Sequence, residues 1–138
     1  MGKLKVTFRL DFDAENAIGP GKVALLEKMR DYGSLSQAAR ELDMSYRRAW
    51  QLLSSLNQTF RTPLVLTTIG GSGGGGATLT KMGEALVSAY RSFEKDMNAR
   101  APKHFGALLQ ETSDRTAGVR RSITRKAAST RRAVRRQA

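Results

Sequence analysis

From Gly70 to Gly76 the chain reads GGSGGGG, six glycines in seven residues. Glycine loses more conformational freedom on folding than any other residue, so such a run is costly in a helix and weakens a strand. It reads as a turn or a hairpin tip, and its flanks agree: Leu64–Thr68 and Ala77–Thr80 form two short strand patterns. The rest of the fold must accommodate a hairpin whose tip carries almost no side chains. Two glycine-rich phosphate motifs are excluded. Gly71 to Gly76 satisfies G-x-G-x-x-G, but a strand follows where the dinucleotide fold needs a helix. No Gly-Lys-Ser/Thr closes the run as in a P-loop.

Around the hairpin the patterns are mostly helical. Leu4, Val6, Phe8, Leu10 and Phe12 alternate with polar residues and predict a half-buried N-terminal strand; Ala14–Gly19 reads as a connection. Pro20 suits a first helical turn and Gly33 a stop, which puts a helix at 20–32 with Val23, Leu25, Leu26 and Met29 inward. Ser34-Leu-Ser-Gln37 fits a capping box ahead of a short helix over 35–42. After a tight break at Asp43-Met44, Ser45 caps a third helix to about Phe60, with Ala49, Leu53, Leu56 and Phe60 as its inner stripe. Thr80 caps a long last helix to about Arg100, striped by Met82, Leu86, Ala89, Phe93 and Met97, and Pro102 is expected to close it.

The 138 residues suit one domain with a modest core, and no apolar run is long enough to span a membrane. With no cysteine there is no thiolate metal site and no disulfide framework. No signal-peptide pattern opens the chain, so a cytoplasmic location is expected. The net charge is +12, unevenly spread: beyond Asp114 there are nine Lys or Arg and no acid, whereas fifteen basic residues face twelve acidic ones up to and including it. The expected organisation is a domain over 1–100, a junction with a possible short helix over 101–114, and a disordered basic tail over 115–138. A polyanion partner follows, nucleic acid ahead of anionic lipid.

Strand, helix, short helix, tight turn, longer helix, hairpin, helix is the order of a winged helix-turn-helix: mainly α with a small β-sheet, an N-terminal strand and a long C-terminal helix. The stretch GSLSQAARELDMSYRRAWQLLSSLNQTF, with PLVLTTIGGSGGGGATLTKMGEALV after it, resembles the DNA-binding domain of ModE-type molybdate-responsive regulators. The likeness rests on Gly33-Ser34, Ser45-Tyr46, Ala49-Trp50, Asn57, the glycine-rich hairpin and Leu79-Thr80…Gly83, and extends from about Lys5 to Phe93. More distantly the same stretch is similar to LysR-type regulators. The resemblance implies a sequence-specific transcriptional regulator, in the sense of a repressor, that binds double-stranded DNA as a homodimer through the helix from Thr80 to Arg100. Molybdate-sensing members carry further oxyanion-binding domains, and the 38 residues after Arg100 are too few for one. Molybdate binding is therefore not expected, nor is any cofactor or metal.

On the third helix Arg47 and Arg48 could read guanine or grip phosphate, and Gln51 could read adenine, while Ser45 and Tyr46 suit phosphate. Ser36 on the short helix and Thr68 beside the hairpin are further backbone candidates. Gly71, Ser72, Gly73, Gly74 and Gly75 would let main-chain N–H groups approach phosphate oxygens. Trp50, about 100° from the inner stripe, reads as a half-buried packing residue and is left out of the set. An enzyme is not expected: there is one histidine, His104, and the acids Asp11, Asp13 and Glu15 fit a solvated connection. The rival reading is a sequence-independent nucleoid-associated or RNA-binding protein driven by the basic tail.

Overall fold

A computed structural model describes residues 4–71 and 74–111, with only the backbone described at 69–71 and 74. Ser72 and Gly73 of the expected hairpin tip, and the expected basic tail over 115–138, lie outside the described residues. The chain divides into two compact units, Met1–Ala99 and Arg100–Ala138. In the second, the described residues continue helix to Gln110, with His104 and Phe105 exposed.

The elements are β1 (Leu10–Asp11), β2 (Ala17–Ile18), α1 (Pro20–Tyr32), α2 (Leu35–Glu41), α3 (Tyr46–Thr59), β3 (Val65–Gly71), β4 (Gly74–Leu79) and α4 (Lys81–Gln110). This is the winged helix-turn-helix order, with two small antiparallel sheets, β1–β2 and β3–β4. The helix signals act as read. Pro20 stands in the first turn of α1, and Gly33 ends it at φ 68°, donating its N–H to the Met29 carbonyl. The Ser34 and Ser45 hydroxyls accept from Gln37 N–H (3.3 Å) and Arg48 N–H (3.0 Å). The break after α2 is a Schellman turn. Asp43 takes φ 57°, its N–H donates to the Arg40 carbonyl, and Met44 N–H donates to that of Ala39.

Val23, Leu25, Leu26 and Met29 of α1 meet Leu35, Ala38 and Ala39 of α2 and Ala49, Leu53 and Leu56 of α3 in one buried cluster. The alanines of α2 let the helices approach closely. The hairpin seals one side through Leu64, Val65 and Ala77, and Ala77 N–H donates to the Gly33 carbonyl (2.9 Å). Asn57 locks the end of α3 to the start of β3: its Oδ1 accepts from Leu64 and Val65 N–H, and its Nδ2 donates to the Val65 carbonyl.

Four expectations are corrected. The N-terminal strand is only Leu10–Asp11, although burial alternates from Leu4 to Asp11 as the pattern required. Its partner upstream is a helix, not a strand. Asn98 of α4 accepts from Val6 N–H and donates back to the Val6 carbonyl, and the Tyr90 hydroxyl donates to the Phe8 carbonyl (2.6 Å). The segment Ala14–Gly19 contains β2, which returns against β1 around a turn. In that turn the Asp13 carboxylate accepts from Glu15 N–H, Asn16 N–H and the Asn16 amide. These bonds, the Asn16 side chain first, hold Asp13 below the usual carboxylate range.

The glycines are not all tip: Thr68 pairs with Gly76 and Gly71 with Gly74, with a register shift between them, so the ladder continues into the run. Lastly, α4 neither buries the expected stripe nor ends at Pro102. Val87 and Tyr90 are buried and Leu86 packs beside them, whereas Met82, Ala89 and Phe93 are exposed. The apolar period was legible, but Tyr90 belongs inside because its hydroxyl has the Phe8 carbonyl as partner. Pro102 sits within the helix. It removes one ladder donor, a cost of roughly 3 kcal/mol in a helix interior.

Candidate nucleic-acid interface

The start of α3 is built from a capped turn whose inward residue is Ala49 alone. Because Ala49 faces the core, its neighbours Tyr46, Arg47, Arg48, Trp50 and Gln51 are turned outward, and all are exposed. Among the described residues the guanidinium groups of Arg47 and Arg48 make no ion pair and no hydrogen bond. Arg48 does act at a distance on Lys22, whose ammonium donates to the Ala17 carbonyl and the Ser55 hydroxyl. Burial first, and then the Arg48 charge, push the Lys22 pKa down. Lys22 is thus committed to the scaffold.

Between the starts of α2 and α3 and the β3–β4 hairpin lies an open cleft of about 300 Å³. Ser34, Leu35 and Ser36 form one wall, Tyr46 and Trp50 another, and Thr67, Thr68, Gly75 and Gly76 the third. Of the residues expected from sequence, the structure brings Ser36, Tyr46, Thr68 and Gly75 together around this cleft. Arg47, Arg48 and Gln51 lie on the outer surface of the same helix, and Ser45 serves as its cap. The Thr68 hydroxyl is partly committed too, accepting from Gly76 N–H at 2.9 Å. A Cβ at Gly76 would meet that oxygen at 2.9 Å, which explains glycine there independently of any ligand. Gly71 and Gly74 pair in the ladder; Ser72 and Gly73 are not among the described residues.

Trp50 was missed. It is 48% exposed and forms part of the cleft wall, as does Thr67. The signal was its phase: a tryptophan one position after the inward Ala49 and four after the outward Tyr46 sits on the helix flank that faces the hairpin. The signature Leu79-Thr80…Gly83 proves to be scaffold. Thr80 N–H donates to the Leu64 carbonyl, its hydroxyl donates to that of Pro63 (2.8 Å), and Gly83 N–H donates to the Thr80 hydroxyl. A Cβ on Gly83 would lie 2.3 Å from the Leu64 oxygen, so only glycine fits.

Among the described residues no group of three or more His, Asp or Glu converges to hold a metal, and no helix is long and apolar enough to cross a membrane.

Residues 21–84 match the family model of the bacterial regulatory helix-turn-helix proteins of the lysR family. The molybdenum-pterin-binding protein MopB of Rhodobacter capsulatus is 38% identical over 111 residues, covering 72% of this chain and 41% of MopB. The molybdenum transport protein ModE of Azotobacter vinelandii is 36% identical over 85 residues, 62% of this chain and 32% of that protein. The DNA-binding transcriptional dual regulator ModE of Escherichia coli is 39% identical over 71 residues, 51% and 27% of the two chains. The chain thus spans well under half the length of these relatives. Among solved structures, MepR, a transcription regulator of the Staphylococcus aureus multidrug efflux pump MepA, superimposes with a TM-score of 0.51 over 82% of this chain and 79% of its own. At 18% identity that is a likeness of fold. The matched stretch is thus similar to the lysR-family helix-turn-helix model, and the sequence around it is consistent with the DNA-binding part of ModE-type proteins.

Proposed function

We propose that the protein is a sequence-specific DNA-binding transcriptional regulator, acting as a dimer and in the sense of a repressor that occludes a promoter. The observation that carries this reading is the exposed start of α3. Two arginines without acidic partners among the described residues and a glutamine project there from a capped helix, beside a hairpin of small residues. Arg47 and Arg48 supply bidentate donors for guanine or single bonds to phosphate, and Gln51 suits adenine. Ser36, Ser45, Tyr46 and Thr68 supply hydroxyls for the backbone, and the sequence run Gly71, Ser72, Gly73, Gly74 and Gly75 is assigned to main-chain contacts with phosphate. The exposed Met82, Ala89 and Phe93 on α4 support the dimer, whose two α3 helices would meet half-sites about one DNA turn apart.

In this reading residues 1–100 are the DNA-binding domain, 101–114 a junction, and 115–138 a basic tail that adds sequence-independent affinity. The location is cytoplasmic. No enzymatic step and no molybdate site is assigned to these 138 residues. The test is selection of random duplexes by the purified full chain. A motif of two related half-sites is expected, retained with weaker affinity when the chain is cut after Asp114. No enriched motif, or loss of all binding on truncation, would instead establish the sequence-independent reading.

A further inference from the structure

The cleft between α3 and the hairpin differs in kind from the arginine surface beside it. None of its nine lining residues is charged. Its polar groups are nearly all hydroxyls, and their hydrogens are available. Ser34 and Thr68 use their oxygens to accept backbone N–H groups, which leaves each O–H to donate outward. Among the described residues, the hydroxyls of Ser36, Tyr46 and Thr67 have no hydrogen-bond partner. Beside these donors stands the half-exposed indole of Trp50, a large apolar surface left against an open space. Donors without charge next to an apolar plate match a sugar–phosphate unit: oxygens to accept, and a ring of C–H groups to pack.

Resting on the DNA-binding reading, we propose that this cleft seats one sugar–phosphate stretch of the bound strand through neutral donors, with Trp50 packed on the deoxyribose. The placement follows from the fold. When α3 enters a major groove and the hairpin lies over the neighbouring minor groove, what separates them is one strand's backbone. Only a cleft between those two elements can receive it. The division of labour is then physical. Arg47 and Arg48 displace counterions and contribute salt-dependent affinity and base reading, whereas the cleft contributes affinity that depends on neither salt nor sequence.

Trp50 is the chain's one tryptophan, so its fluorescence reports on the cleft directly. The probes are a duplex selected by the full-length protein and a scrambled duplex of equal length. Binding of either, followed independently by anisotropy, is expected to shift Trp50 emission to the blue and reduce its quenching by acrylamide. Trp50→Leu should weaken both duplexes by the same factor, about tenfold for removing a half-buried indole contact, with the salt slope unchanged. Ser36→Ala with Thr67→Ala should act in the same direction while leaving the indole in place. Arg47→Ala with Arg48→Ala should lower the slope by about 0.9 for each phosphate that is no longer neutralised.

Duplex binding that leaves Trp50 emission and quenching unchanged overturns the proposal while the regulator reading stands. So does a Trp50→Leu loss that disappears when a single thymine is replaced by deoxyuridine, which would make Trp50 a reader of a base methyl. A wild-type chain that enriches no duplex removes both readings together.

Discussion

The contact of α1 with α4 and the exposed start of α3 use the same kinds of side chain in opposite states. In the first, Arg91 donates to both carboxylate oxygens of Glu27 and also binds Glu94, which raises its already high pKa, the Glu27 bond contributing most. Beside it Tyr90 is buried to 2% exposure, stacks on Phe8 at 4.2 Å, and donates its hydroxyl to the Phe8 carbonyl. Burial, first among the causes, pushes the Tyr90 phenol pKa up. At the start of α3, Arg47, Arg48, Tyr46 and Trp50 have no such partners among the described residues, and Tyr46 and Trp50 are 57% and 48% exposed. Matched groups hold a fold together, whereas the unmatched ones gathered at the start of α3 are those that the proposed reading assigns to DNA.

The largest effect that would break the comparison is on binding. Replacing Arg47 and Arg48 together by alanine is expected to cost at least about 30-fold in affinity for a selected duplex, since each specific base contact is worth ~1–3 kcal/mol. The melting temperature should hardly move, because surface changes without partners stay within about 0.5 kcal/mol. A large loss of stability would mean that these arginines belong to the scaffold after all.

Gly83→Ala tests the opposite side. A methyl driven against the Leu64 carbonyl should destabilise the fold by about 3 kcal/mol, the upper end for overpacking, read by denaturant unfolding. Any fall in DNA affinity should vanish once corrected for the folded fraction.

Tyr90→Phe should cost about 1 kcal/mol through the missing hydrogen bond to Phe8, with duplex affinity unchanged. The smallest effect concerns Asp13. Its folded pKa lies below the unfolded value of about 3.8, so its contribution is fully present above that value and is lost as pH falls through the folded one. Asp13→Ala should therefore flatten the acid limb of the stability–pH curve slightly and leave stability near neutral pH only marginally lower.

Much of this was legible in the chain. The caps at Ser34 and Ser45, the stop at Gly33 and the inner faces of α1 to α3 follow from local rules, because a cap or an apolar period is decided within a few residues. What was not legible depended on partners distant in sequence. The alternation from Leu4 to Leu10 correctly forecast which side chains would be covered but not by what, and Phe12, expected on the same face, is 45% exposed. The answer lay in Asn98 and Tyr90, more than eighty residues away. The stripe on α4 was displaced by the same cause, since a tyrosine counts as inward only once its hydroxyl has a partner. That Trp50 lines a cleft was not legible because the facing wall comes from residues 67–76.

The central claim is that the start of α3 and the β3–β4 hairpin together form the face that meets DNA. Amide hydrogen exchange of the full chain, with and without a selected duplex, tests it most directly. The account requires the strongest slowing at residues 34–51 and 65–78, exceeding any change along α4. Slowing concentrated on α4 or the N-terminal segment, with α3 and the hairpin exchanging as in the free protein, would contradict it.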